Sequence, residues 1–317
     1  MRRRRSIELR DSTLREGLDT PGVRFSEAQA VRIARALADA GVREAEVVAP
    51  ARVAEGLVLA RRLRSEGIAI RTSGLVYATS PRAAAEAEAA ASAVGRFDLL
   101  MPLSPRRPPA SPAAKVTALL DVLARVPRGR RTVGVGFPHA TQAAPAFVRE
   151  IALAAVQAGA ARITIYDTNG SADPFAVRAL LADLGRRLAV PIFFHGHNDL
   201  GLATANALGA VAGGARGLDV TVNGLGDRAG NASLEQVVMT LGLRGWSTGV
   251  DPAALRALSR LVTELSGVPV SKLAPVVGDF VFAHRSPGHL PVPSEFEAFS
   301  PAMVGALRRL DRTRSTR

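Results

Sequence analysis

The chain has 317 residues, 47% of them hydrophobic, no cysteine, and a formal net charge of +13. That length and apolar content suffice for one large core, and the missing cysteines exclude disulfides, thiolate nucleophiles and thiolate metal ligands. No apolar run approaches the ~18 residues that span a bilayer, and the start, Met1 followed by Arg2 to Arg5, lacks the apolar segment of a secretory leader, so a cytoplasmic enzyme that touches no membrane is expected.

Charge alone invites a nucleic-acid reading. Lysine, however, stands only at 115 and 272, and aromatic residues make up 4%, too few for a stacking platform. The basic clusters, Arg2 to Arg5, Arg128 to Arg131 and Arg308 to Arg317, fall at termini or a turn, where solvated segments are common. No nucleic-acid partner is expected, whereas an anionic substrate such as a coenzyme A thioester would profit from the positive field.

In chain order, Ile7 to Asp11 reads as a first strand, and Ser26 to Ala40 as an amphipathic helix opened by a capping box, Ser26-Glu27-Ala28-Gln29. Glu44 to Val48 predicts a second strand and Val53 to Glu66 a helix. Strands three and four fit Ile68 to Leu75 and Phe97 to Pro102, on either side of the Ala-rich helix Pro81 to Val94. Five prolines between Pro102 and Pro112 exclude helix and central strand, predicting a surface loop able to act as a lid, ahead of helix Pro112 to Arg125. Strands five to eight fit Thr132 to Phe137, Arg162 to Asp167, Pro191 to His195 and Gly217 to Val222, with helices at Ala144 to Ala158, Pro174 to Leu188 and Leu202 to Gly213. Eight strands alternating with helices predict an α/β fold, a TIM (β/α)8 barrel over residues 1–245, with a short C-terminal helical extension over 246–317.

In such a barrel the chemistry sits where strands end. Asp11 and Arg15 follow strand one, Glu46 lies on strand two, His139 follows strand five, Asp167-Thr168 ends strand six, and Asn223 to Asn231 follows strand eight. His195 and His197, spaced i and i+2 at the end of an apolar run, project to one side of their strand, so one cation can bridge both. Imidazole with carboxylate and amide oxygen suits Zn, Mn or Mg and leaves room for a substrate. The plain alternative is a pair of structural histidines, but they are two of only five in the chain.

The motifs Asp11-x-Thr-Leu-Arg-Glu-Gly, Pro21-Gly22-Val23, Asp167-Thr168-Asn169-Gly170, His195-x-His-Asn-Asp-x-Gly-Leu-Ala-x-Ala-Asn206 and Gly224-Leu-Gly-Asp-Arg-Ala-Gly-Asn231 occur in this order over nearly the whole chain. Together they resemble the homocitrate and isopropylmalate synthase family, within the wider pyruvate carboxyltransferase-type metal-dependent barrels. The resemblance implies an acyltransferase that condenses acetyl-CoA with a 2-oxo acid on a divalent cation, hydrolyses the thioester and releases CoA. It implies Asp11, His195, His197 and Asn231 as metal ligands, Arg15 with Glu16 as catalytic groups, and Thr168 as a hydroxyl donor to the substrate carboxylate. The alternatives for these positions are a surface ion pair between Arg15 and Glu16, and a helix cap at Thr168. Asn198 and Asp199 would orient the histidines, and Glu46 would support Arg15.

His284-Arg285-Ser286-Pro287-Gly288-His289 resembles a family segment that enters the active site of a neighbouring subunit, which implies His289 as the base, His284 in support, and a homodimer. The chain also departs from the family pattern. Leu18-Asp19 replaces Glu-Gln, so Asp19 stands where an amide would meet the substrate, and Phe137-Pro138-His139-Ala140-Thr141-Gln142 lacks the acidic pair and the arginine usual after strand five. The length leaves no room for a leucine-sensing regulatory domain, so feedback of that kind is not expected. Two other readings fit the same barrel: a carbon-carbon lyase or aldolase, and a non-catalytic barrel.

Overall fold

The computed structural model describes residues 5–109, 111–126 and 132–311; the arginine stretch 128–131 and the ends of the other two basic clusters lie outside them. Eight parallel strands close in chain order: β1 (Glu8–Asp11), β2 (Glu44–Val48), β3 (Arg71–Tyr77), β4 (Arg96–Leu100), β5 (Thr132–Phe137), β6 (Ile163–Asp167), β7 (Ile192–Gly196) and β8 (Gly217–Val220), with β8 paired back onto β1. The helices are α1 (Glu27–Asp39), α2 (Val53–Ser65), α3 (Ala83–Ala93), α4 (Pro112–Arg125), α5 (Pro145–Gln157), α6 (Pro174–Gly185), α7 (Ala203–Ala212) and α8 (Leu234–Leu243), which completes the eighth unit. This is the TIM barrel that the alternation of patterns predicts.

Local chemistry sets the boundaries. The capping box at α1 forms with both Ser26 and Gln29 engaged, and Ser111 and Asp173 cap α4 and α6 ahead of a proline that is preset for the first helical turn. Asp173, not Thr168, thus caps the helix after β6. Strand β3 starts three residues later than its apolar run, because Ile68 and Ile70 are spent on the turn after α2, where the Ile70 amide donates to the Ile68 carbonyl.

The barrel interior is ionic, which apolar patterning could not foretell. Arg10, fully buried, donates to both oxygens of Asp219 at 2.8 and 2.7 Å and to Asp98 at 2.9 Å. Arg162 donates to Asp98 at 2.8 Å and to Glu44 at 3.2 Å, and its guanidinium lies 4.7 Å from the centre of the Phe193 ring. Gly134 makes space for this layer, since a Cβ there would stand 2.1 Å from Asp98 Oδ1. Burial opposes each of these charges, yet the arginines hold the Asp98 and Glu44 carboxyls below the usual carboxylate range.

After α8 the chain forms α9 (Leu255–Ser266), tied to the β8 loop where Asn223 Nδ2 donates to the Ser259 carbonyl at 3.0 Å. Beyond α9 the described residues form short 3-10 turns and one two-residue pairing, Ala283–His284 with Arg309–Leu310.

Because Glu44 and Asp98 bind their protons less tightly folded than unfolded, their contribution is complete above their ordinary values of 4.5 and 3.8 and disappears as pH falls below them. Urea unfolding from pH 7 to 3 should therefore show stability falling below about pH 5. Asp98→Ala, which takes one buried acid partner from both Arg10 and Arg162, should cost about 3–5 kcal/mol at pH 7 and flatten that acid limb.

Candidate active site

Where β7 ends, His195 and His197 come together with Glu16 from the turn after β1. Their ligand atoms all lie within 4.8 Å of one another, and all three residues are buried. The Nε2 atoms of the two histidines are 3.3 Å apart, and Glu16 Oε1 is 3.6 Å from His197 Nε2. Asp219 on β8 accepts from His195 Nδ1 at 3.1 Å, a contact that leaves Nε2 free to face the cluster. Asn231 brings an amide oxygen that is buried and without a partner, beside the backbone bridge it makes with His197. Burial, then His195, Arg228 and Arg15, push the His197 imidazole down to about 2, with the Gly230 backbone opposing.

Asp11 is not a member of this group. Its carboxylate accepts from the Thr13 amide at 2.9 Å and the Thr13 hydroxyl at 3.1 Å, and Thr13 Oγ1 in turn accepts from the Val222 amide at 2.9 Å. Asp11 therefore knits the ends of β1 and β8, and burial, opposed by Thr13, pushes its carboxyl up to about 7. As the carboxylate facing the histidines, Glu16 replaces Asp11 in the expected ligand set. Asn198 and Asp199 do not orient the histidines either: Asn198 accepts from the Ala203 amide, and Asp199 takes a two-pronged bond from Arg228 at 2.7 and 2.9 Å. Asp219 does that work, and it is visible in sequence only as one acid within the strand Gly217 to Val222.

Arg15 pairs with Glu16, and its Nε donates to Glu46 at 2.6 Å. With exposures of 8% and 4%, Arg15 and Glu16 form a buried pair rather than a surface one. Burial works against the guanidinium, but Glu16 and Glu46 raise its pKa, so it stays charged.

These groups open into a cavity of about 510 Å³, also lined by Asp19, Leu75, Tyr77, Leu100, Arg107, Pro138, His139, Tyr166, Thr168 and Asn169. His139 sits in the left-handed region at φ 64°, its amide donating to Thr168 Oγ1 at 2.8 Å. Burial first, then Arg107, lowers the His139 pKa, with Asn169 opposing. Asp19 is held by Arg52 at 2.7 Å. The proline-rich loop after β4 is anchored from below: Lys115, 1% exposed, donates to the carbonyls of Pro102 and Arg107, each at 2.9 Å.

Residues 6–262 match the HMGL-like family. The chain belongs to that family. It is 34% identical to a 2-isopropylmalate synthase of Saccharolobus solfataricus, over 97% of this chain and 82% of that protein. It is 35% identical to a homocitrate synthase of Frankia alni, over 96% of this chain and 89% of that protein. Such synthases are acyltransferases, and this member of the family is an enzyme of that class. A hydroxymethylglutaryl-CoA lyase structure from Pseudomonas aeruginosa, 21% identical, superposes with a TM-score of 0.71 over 84% of this chain and 95% of that one, a likeness of fold.

This HMGL-like chain keeps its tail histidines away from its own cavity. His284 meets Glu297 at 3.1 Å, and His289 stacks on Phe296 with ring centres 3.7 Å apart; neither lines the cavity described above.

Since Lys115 satisfies two loop carbonyls, Lys115→Met leaves both unpaired, a loss of about 1–3 kcal/mol. Trypsin should cut after Arg106 about tenfold faster in that variant, because cleavage of a locally opened segment follows its opening free energy; an unchanged rate, read by mass spectrometry, would show that the lysine does not hold the loop.

Proposed function

We propose that this enzyme condenses acetyl-CoA with a 2-oxo acid to give a 2-substituted malate and free CoA. The observation that carries this reading is the meeting of Glu16, His195, His197 and Arg15 in one cavity, in a chain similar to named 2-isopropylmalate and homocitrate synthases.

The donor set fits a divalent cation such as Mg, Mn or Zn. Two imidazole nitrogens and a carboxylate converge, one histidine is oriented by an acid behind it, and the Asn231 amide oxygen is buried and unpaired. Glu16, His195 and His197 would hold the ion, with Asn231 beside them. When bound, such an ion polarises a 2-oxo carbonyl toward attack.

The residues supply the rest. Arg15, held charged by Glu46, would face the oxygen that gains charge as the ketone becomes an alkoxide. Thr168 and His139 line the same cavity, where they can meet the substrate carboxylate. A base must take a proton from the acetyl methyl group so that its carbon can bond to the ketone carbon. His289 of a second copy in a homodimer is our assignment for that base. Water then cleaves the thioester, leaving a new carboxylate and the CoA thiol.

Metal-loaded protein given acetyl-CoA and a panel of 2-oxo acids should release thiol only when a 2-oxo acid is present, and should stop when a chelator is added. Arg15→Ala should lower kcat about 10²–10³-fold. Glu16→Gln should weaken metal binding, measured against a chromogenic chelator, more than Asp11→Asn does. Thiol silence together with cleavage of 2-substituted malates would identify a lyase instead.

If His289 works across a dimer, Arg15→Ala and His289→Ala should each be inactive alone and recover activity on mixing and subunit exchange, because one of the mixed sites then contains both intact residues. Activity of His289→Ala within tenfold of wild type would remove the residue from the chemistry, since general bases contribute about 10²–10⁴-fold.

A further inference from the structure

Tyr166 stands apart from the groups used so far. It is the inward residue at the top of β6, two positions above Thr164, whose hydroxyl donates to Asp98 at 3.0 Å in the ionic layer. Its ring lies against His195, centres 4.6 Å apart. The neighbouring strand makes room for it: a Cβ on Gly136 would stand 2.6 Å from Leu100 Cδ2 and 2.8 Å from Tyr166 Cε2, so any side chain at 136 would push the leucine or the ring from its place. The residue is 5% exposed, lines the cavity shared with Arg15, Glu16 and both histidines, and its hydroxyl has no hydrogen-bond partner. A buried hydroxyl left unpaired is costly, and an oxygen of a bound molecule would satisfy it.

The wall beside the Tyr166 ring is apolar. Leu75, Leu100 and Tyr166 form a buried cluster of their own, with Tyr77 packed on it. The cations of the cavity are committed elsewhere or lie at its rim. Arg15 is paired with Glu16 and Glu46, Arg228 with Asp199 and Asp227, and Arg107 is exposed.

We propose that the Tyr166 hydroxyl donates a hydrogen bond to an oxygen of the 2-oxo acid, and that Leu75, Leu100 and the Tyr166 ring enclose its side chain, selecting a short, uncharged aliphatic 2-oxo acid. This rests on the condensation reading above. Tyr166 is then a substrate-contacting, specificity-determining residue placed by the glycine on β5.

The test compares the metal-loaded wild type with Tyr166→Phe and Leu100→Ala, using pyruvate, 2-oxoisovalerate, oxaloacetate and 2-oxoglutarate, by thiol release and by calorimetric binding of each acid without acetyl-CoA. We expect an aliphatic acid to be preferred. Tyr166→Phe should raise the KM and Kd for that acid about tenfold or more, leaving metal content and the KM for acetyl-CoA unchanged. Leu100→Ala should shift the kcat/KM ratio about tenfold toward the longer aliphatic acid. Unchanged KM and Kd in Tyr166→Phe would mean that the hydroxyl serves an enclosed water and not the substrate, and a wild-type preference for a dicarboxylic acid would overturn the assignment of the wall. A wild type that neither binds nor turns over any 2-oxo acid would instead sink the condensation reading itself, and this one with it.

Discussion

The buried guanidinium of Arg10 is the constraint on which the rest of this barrel depends. Three acids from three other strands, Asp98, Asp219 and Glu46, surround it at 2.9, 2.7 and 3.5 Å. A charge so deep is tolerated only when each partner is present and correctly aimed. Two of those partners also bond to residues that line the cavity. Asp219 passes from Arg10 to His195, and Glu46 passes from Arg10 to Arg15. The orientation of the histidine and of the arginine at the mouth is thus set by the same ionic column that fills the barrel, which gives a preorganised site on rigid strands.

The column also accounts for the division of the interior. Below, charges and hydroxyls neutralise one another around Phe193. Above, Leu75, Leu100 and Tyr166 form an apolar shelf. The two glycines of β5 serve both levels, Gly134 beside Asp98 and Gly136 beside Tyr166. A strand of valines and glycines, with no chemistry of its own, therefore decides how much room the chemistry has.

The legible part of the site lay in local order. The histidine pair, the turn carrying Arg15 and Glu16, and Asn231 stand at strand ends, and a barrel brings strand ends to one mouth. Misreadings arose where one carboxylate had to be chosen from several. Asp11 and Glu16 are five residues apart, and only the 3-10 turn at Glu16–Asp19 aims the second at the histidines while Thr13 occupies the first. Asn198 and Asp199 follow the histidines directly, yet Asp219, twenty-four residues beyond His195, touches the ring because β7 and β8 are neighbours.

By itself the sequence determined the eight-fold alternation, the capping box at Ser26, the proline-rich loop, and the side of β7 on which two imidazoles would project. Those features follow from periodicity and turn chemistry, which act over a few residues. Tertiary structure alone decided which acid meets the histidines, that Arg15 and Glu16 are buried, that arginines fill a barrel interior, and that Tyr166 stands under an empty Gly136. Each of these depends on contacts between strands far apart in the chain, where register and closure, not local propensity, choose the partner.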